Sequence, residues 1–222
     1  MLAIFDCDGV LPDSEAIFAA VDAAALARLG HRMAPAEICR RFSGVPHRDM
    51  WAELAAEFDL TLPDGHLQAI SEECQRRFEI ELAPVAGADE ALRSVRRAGL
   101  EVCVASSTPL DSLRRNLDWT GLLALVDPHV FSVSQVRRGK PAPDVFLYAA
   151  SQTGVDPADC VVIEDSAAGV AAARRAGMRA IGFTGASHAD ADLGARLSEA
   201  GAFAVCTDMA AVVAQVSDRF SV

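Results

Sequence analysis

Short, largely apolar runs, each followed by a stretch with helical spacing, recur along this chain and limit the folds open to it. They are Leu2 to Phe5, Glu101 to Ala105, Val130 to Val133, Cys160 to Ile163, Arg179 to Phe183 and Ala202 to Cys206. Runs this short that are apolar at successive positions match strands buried on both faces rather than helices. Helical patterns lie between and after them, near residues 87–98, 110–119, 144–153, 167–176, 190–200 and 208–217. Strand–helix alternation of this kind implies a parallel sheet covered by helices on both faces. The expected architecture is a doubly wound α/β layer, whose chemistry belongs outside the carboxyl ends of the strands.

The alternation is interrupted once. From about Ser14 to Leu82 there are no strand signals, and Ala, Leu, Glu and Arg follow helical spacing, as in Ile17, Val21, Ala24, Ala25 and Leu29. Breaks at Gly30, near Gly44 to Pro46 and at Leu62 to Gly65 divide the stretch into about four helices. An insert of about 65 residues is far longer than a connecting loop. The expected organisation is therefore an α/β core of residues 1–13 and 83–222 with a helical unit, residues 14–82, placed as a lid over the strand ends.

Charge and composition narrow the partners. With 20 Lys and Arg against 31 Asp and Glu, the net charge of -11 disfavours nucleic acid. It would also repel a small phosphate ester, so a site for such an anion must supply its own positive charge. No apolar run approaches the ~20 residues of a membrane span, and MLAIFDCDGV has neither the basic segment nor the cleavage pattern of a secretory leader. The six cysteines form no Cys-x-x-Cys pair and several sit inside apolar runs, as reduced packing residues do. A soluble, cytoplasmic monomer is expected.

Four clusters carry the chemistry. Asp6 and Asp8 leave the first strand at i and i+2, sharing a face, and two such carboxylates invite a divalent cation or a shared proton. Ser106-Ser107-Thr108 ends the second strand, where hydroxyls serve either as helix caps or as phosphate ligands. Lys140, the only lysine, is bracketed by Gly139 and by Pro141 and Pro143, a rigid setting for one fixed cation. Glu164-Asp165 ends the fourth strand, where uncompensated buried acids are costly, although Asp165 or Ser166 could also cap the next helix. All four fall at carboxyl ends of strands in the expected sheet, and together they suit a hard, oxygen-seeking ion such as Mg²⁺.

These motifs, FDCDGVLPDSE, VASSTP, GKPAPDVF and VVIEDSAAGV, in this order and spacing resemble those of the haloacid dehalogenase superfamily, specifically its phosphatases and phosphomutases with a helical cap after strand one. The resemblance spans nearly the whole chain and implies a Rossmann-like core. It also implies that Asp6 is the nucleophile and Asp8 the general acid and base, with Ser106, Ser107 and Lys140 binding phosphate. Mg²⁺ would be held by the Asp6 side chain, the Asp8 backbone carbonyl, Asp165 and, directly or through water, Glu164. An acid at Asp8 separates phosphatases from dehalogenases, and the absence of lysine from Asp13 to Leu82 argues against phosphonate hydrolysis by an imine.

Within that group the expected activity is hydrolysis of a sugar phosphate or sugar-acid phosphate, with a β-phosphoglucomutase-like mutase as the alternative. Mutases of this kind carry a phosphate-gripping arginine in a cap segment beginning Gly-Val. Here Gly44-Val45-Pro46-His47-Arg48 places His47 at that position, or Arg48 if the register slips by one. Gly44, His47 and Arg48 are thus the candidate cap contacts, and Trp51 is expected in the core of the helical unit. Pro12, where relatives usually have an aliphatic residue, falls at the junction. A non-enzymatic phosphate-binding module or a phospho-accepting signalling domain is a further alternative, disfavoured by Asp6 and Asp8 respectively.

Overall fold

The computed structural model describes residues 1–42 and 44–220. Its elements run β1 (Leu2–Phe5), α1 (Glu15–Arg28), α2 (Pro35–Phe42), α3 (His47–Glu57), α4 (His66–Glu81), α5 (Ala88–Arg97), β2 (Glu101–Ser106), α6 (Leu110–Trp119), α7 (Leu123–Val126), β3 (Val130–Ser132), α8 (Asp144–Thr153), β4 (Cys160–Glu164), α9 (Ala167–Arg175), β5 (Arg179–Phe183), α10 (Leu193–Ala200), β6 (Ala204–Cys206) and α11 (Met209–Phe220). The six strands form one sheet in the order β3-β2-β1-β4-β5-β6, every pair parallel. The chain reverses its direction of winding between β1 and β4, which makes their carboxyl ends the crevice of the sheet.

Period-two alternation divides the core into two layers. Ala3, Phe5, Val102, Val104, Val161 and Ile163 face one side, against α5, α6 and α11. Leu2, Ile4, Cys103, Ala105, Cys160 and Val162 face the other, against α8, α9 and α10. This is why the strand sequences read as continuous apolar runs. The cysteines behave as expected, all six unpaired and five of them buried. No helix among the described residues is long and apolar enough to cross a membrane.

Helices α1 to α4 surround a third apolar cluster that includes Leu26, Phe42, Trp51, Leu54, Ile70 and Phe78. Their chain leaves and returns through two segments that pair antiparallel: Pro12 bridges Pro84, Asp13 N–H donates to Ala83 O at 2.9 Å, and Val85 N–H to Leu11 O at 2.7 Å. Pro12 therefore sits inside a two-stranded linker, where its missing N–H is not called upon.

Several element boundaries differ from the sequence reading; β2 and β4 each run one residue further, to Ser106 and Glu164. Val133 leaves β3 for a short 3₁₀ turn, because Ser132 and Gln135 cap one another reciprocally. Residues 190–192 stay outside α10, since Asp190 accepts the Asp192 N–H at 2.9 Å and pairs with Arg196. The final strand begins at Ala204 rather than Ala202.

Phe146 in α8 is fully buried, and its ring lies 5.0 Å beneath the Lys140 ammonium. Phe146→Ala is expected to lower stability by about 3–5 kcal/mol, read as a shift in urea denaturation; a loss under 1 kcal/mol would contradict this packing.

Candidate active site

The parallel register sets Phe5 opposite Ile163 and Val104, so Asp6 emerges between the ends of β4 and β2. Lys140, from the loop before α8, reaches into this gap. Its Nζ donates to Asp6 Oδ1 at 2.6 Å, Glu164 Oε1 at 2.6 Å and the Ala105 carbonyl at 3.1 Å. All three ammonium protons are thereby used. Burial disfavours the ammonium, but Asp6 and Glu164 outweigh it and hold the Lys140 pKa well above its ordinary value.

Glu164 is fully buried. Its second oxygen accepts from the Ser166 amide at 3.1 Å and the Ser166 hydroxyl at 2.9 Å. The same hydroxyl oxygen accepts the Gly169 N–H, capping α9. Asp165 is 4% exposed and faces Gly9, whose φ is +74°. A Cβ at Gly9 would lie 2.1 Å from Asp165 Oδ2, so this turn requires glycine on both conformational and steric grounds. His188, from the loop after β5, brings Nε2 to 3.1 Å from Asp165 Oδ2, a close ionic contact that is not aligned as a hydrogen bond. Asp165 raises the His188 pKa against the opposing effect of burial.

Ligand oxygens of Asp6, Glu164 and Asp165 lie within 4.8 Å of one another. Burial, together with the charges of Glu164 and Asp165, pushes the Asp6 pKa well up, and Lys140 only partly offsets them. Three buried acids around one lysine leave negative charge that a divalent cation fits. Their all-oxygen donor set suits a hard ion.

Asp8 stands apart from this cluster. Its Oδ1 accepts from the Ser14 hydroxyl at 2.8 Å, and its Oδ2 from the Thr108 hydroxyl at 2.5 Å and more weakly from Ser106 at 3.5 Å. Burial raises the Asp8 pKa, against the effect of these hydrogen bonds. The Ser106 hydroxyl oxygen also accepts the Thr108 N–H at 3.0 Å, and Ser107 is exposed at the strand end.

A cavity of about 600 Å³ joins these groups to the helical unit. Asp6, Asp8, Ser106, Ser107, Lys140 and Asp165 all line it, as do Gly44 and His47; Glu164 lies behind the wall. Gly44 has φ +76° and sits where a Cβ would be 2.9 Å from Ser166 Cβ, so the α2–α3 loop abuts the start of α9. Arg48 is exposed and is not part of the lining. Trp51 is fully buried among the helices, as expected.

Sequence reasoning missed Ser14, His188 and Asp22, and named Thr108 without its contact to Asp8. Ser14 stands at the N-cap of α1 but makes no capping bond, its hydroxyl going to Asp8 instead. Thr108 was visible as the third hydroxyl of its cluster, while His188 carried no local signal.

Lys140 is bound more tightly to its proton in the folded than in the unfolded chain, so its stabilising contribution is intact below its ordinary pKa and fades only at strongly alkaline pH. The folded Asp6 also takes up a proton earlier as the pH falls. Lys140→Met is therefore expected to cost about 3–5 kcal/mol at pH 8, with the gap narrowing toward pH 5 as protons replace the lost cation. Urea titrations at both pH values check this; a gap that widens in acid would contradict it.

Residues 1–177 match the haloacid dehalogenase-like hydrolase family. A "phosphorylated carbohydrates phosphatase" from Thermotoga maritima is 34% identical over 204 residues, covering 91% of this chain and 92% of the relative. A "6-phosphogluconate phosphatase" from Escherichia coli is 28% identical over 185 residues, covering 83% and 82%. Among solved structures, a conserved haloacid dehalogenase-like protein of unknown function from Agrobacterium tumefaciens superposes with a TM-score of 0.90 at 36% identity, covering 99% of each chain.

Proposed function

The chain belongs to the haloacid dehalogenase-like hydrolases, and from that premise we propose that it is a magnesium-dependent phosphatase of a small phosphorylated metabolite, of the sugar-phosphate kind, working through a phospho-aspartate on Asp6. The observation that carries this reading is the fixed geometry around Asp6: one oxygen held by Lys140 at 2.6 Å, with a second acid two residues on that is separately hydrogen-bonded by Thr108 and Ser14.

The two acids have different environments, and different roles follow. Asp6, oriented by Lys140, attacks phosphorus; a carboxylate O–P bond forms as the ester P–O bond breaks. Asp8, whose pKa is raised by burial, passes a proton to the leaving alkoxide. The carboxylate so formed then takes a proton from water as that water attacks the acyl phosphate, releasing phosphate and restoring Asp6. Ser106, Ser107 and Lys140 bind the phosphoryl oxygens. Asp6, Asp165 and the Asp8 carbonyl would hold Mg²⁺, with Glu164, whose oxygens are engaged by Lys140 and Ser166, joining directly or through water. When bound, the ion neutralises charge on the phosphoryl oxygens.

Residues 14–82 act as the cap, closing the cavity over the strand ends and excluding water. The phosphatase reading is supported over the mutase by Arg48, which is exposed and outside the cavity. Unpaired cysteines suit a reducing compartment, in keeping with a cytoplasmic enzyme.

Asp6→Asn is expected to reduce hydrolysis of p-nitrophenyl phosphate by about 10⁴-fold or more, and Asp8→Asn by about 10²–10⁴-fold. Chelation should abolish turnover and Mg²⁺ restore it. Phosphate release by Asp6→Asn at the native rate would refute the mechanism.

A further inference from the structure

We infer, resting on the phosphatase reading of this site, that the alcohol released carries no second anion and is recognised through its hydrogen-bond donors by Asp22 and His47. The charge in the cavity wall is unevenly distributed. Among its described residues the sole side chain of permanent positive charge is Lys140, which lies at the sheet and is already shared between Asp6 and Glu164. No arginine contributes to the wall. Those of the helical unit face outward, where Arg40, Arg41 and Arg77 pair with Glu37, Glu57 and Glu81.

The part of the cavity wall supplied by the helical unit carries Phe18, Ile38, Phe42, Met50, Ile70 and Phe78, with Glu15, Ser71 and Gln75 among them. Asp22 and His47 form an acidic cluster within this surface. Asp22, on α1, is only 2% exposed and lines the cavity. Its Oδ1 accepts from Trp51 Nε1 at 2.8 Å and lies 2.8 Å from His47 Nε2. An indole N–H can only donate, so this oxygen is an acceptor, and a neutral His47 ring that donates to it carries its hydrogen on Nε2. Two donors on one oxygen lock the carboxylate, and Oδ2 has no further hydrogen-bond partner among the described residues. In that neutral ring His47 Nδ1 is a second acceptor.

A ligand group reaching this cluster meets the Asp22 carboxylate and no lysine or arginine side chain. A hydroxyl or amino group satisfies that carboxylate. A carboxylate or second phosphate would be set against the buried Asp22 side chain, where like charges repel. The surrounding aromatic and aliphatic residues match the C–H faces of a polyol or sugar ring. The substrate class is thus a monophosphate of an uncharged, hydroxyl-bearing or amino-bearing alcohol; sugar-acid phosphates and bisphosphates are excluded.

The test is kcat/KM for three open-chain six-carbon 6-phosphates that differ only at carbon one: an alditol, an aldonate and an alditol 1,6-bisphosphate, with p-nitrophenyl phosphate run beside them. The alditol ester is expected to exceed both others by about 30-fold or more. Asp22→Asn, and independently His47→Gln in case the first variant folds poorly, should shrink that preference by about tenfold, chiefly by raising KM for the alditol ester. Equal or faster turnover of the aldonate or bisphosphate, or an unchanged preference in both variants, would overturn the inference while Asp6-dependent hydrolysis of p-nitrophenyl phosphate left the phosphatase reading standing. Loss of all ester hydrolysis would overturn both.

Discussion

The buried ammonium of Lys140 is the constraint around which the site is arranged. Without it, Asp6 at the end of β1 and Glu164 at the end of β4 would be neighbouring carboxylates with no fixed countercharge, at the point where the sheet is most enclosed. One side chain joins the ends of three strands: Asp6 follows β1, the Ala105 carbonyl belongs to β2 and Glu164 closes β4. The lysine therefore does structural and chemical work with the same three hydrogen bonds. It also explains how a chain with net charge -11 can admit an anion at one place.

Around that centre the acids are separated by environment rather than by type. Asp6 faces a cation and two further acids, whereas Asp8, only two residues away, faces hydroxyl groups. The separation depends on residues from distant parts of the chain: Thr108 from the end of β2 and Ser14 from the entry to α1. Both could have capped helices locally. Their hydroxyls turn instead to a buried carboxylate, where each hydrogen bond offsets more desolvation than it would at an exposed helix end.

How much of this the sequence discloses depends on the range of the interaction. Strands were legible because burial on both faces leaves an uninterrupted apolar run, and Asp6, Lys140, Glu164 and Asp165 were legible because each stands where such a run or a rigid loop ends. Ser14 was hidden, and the bond from Thr108 to Asp8 with it, because serine and threonine beside a helix have an ordinary local explanation. The Asp22–His47–Trp51 cluster was hidden more deeply. Asp22 interrupts an alanine-rich stretch of α1 and reads as part of a solvated face, and its partners lie 25 and 29 positions away, joined to it only by the packing of α3 on α1. His47 and Arg48 show the limit plainly, since adjacent residues at a helix start point in directions about 100° apart and sequence alone left their registers open.

The paired linkers at Pro12 and Pro84 constrain how the helical unit can move. Two chains hydrogen-bonded side by side cannot swivel independently, since twisting one would break the bonds at Asp13 and Val85. Rigid displacement of helices α1 to α4 is thereby reduced to a single angle, like the leaf of a door. Ser14, immediately beyond that joint, would sweep a short arc while Asp22 and His47 sweep a longer one. A small rotation about that joint would therefore displace the wall at Asp22 and His47 further than it displaced Ser14 beside Asp8.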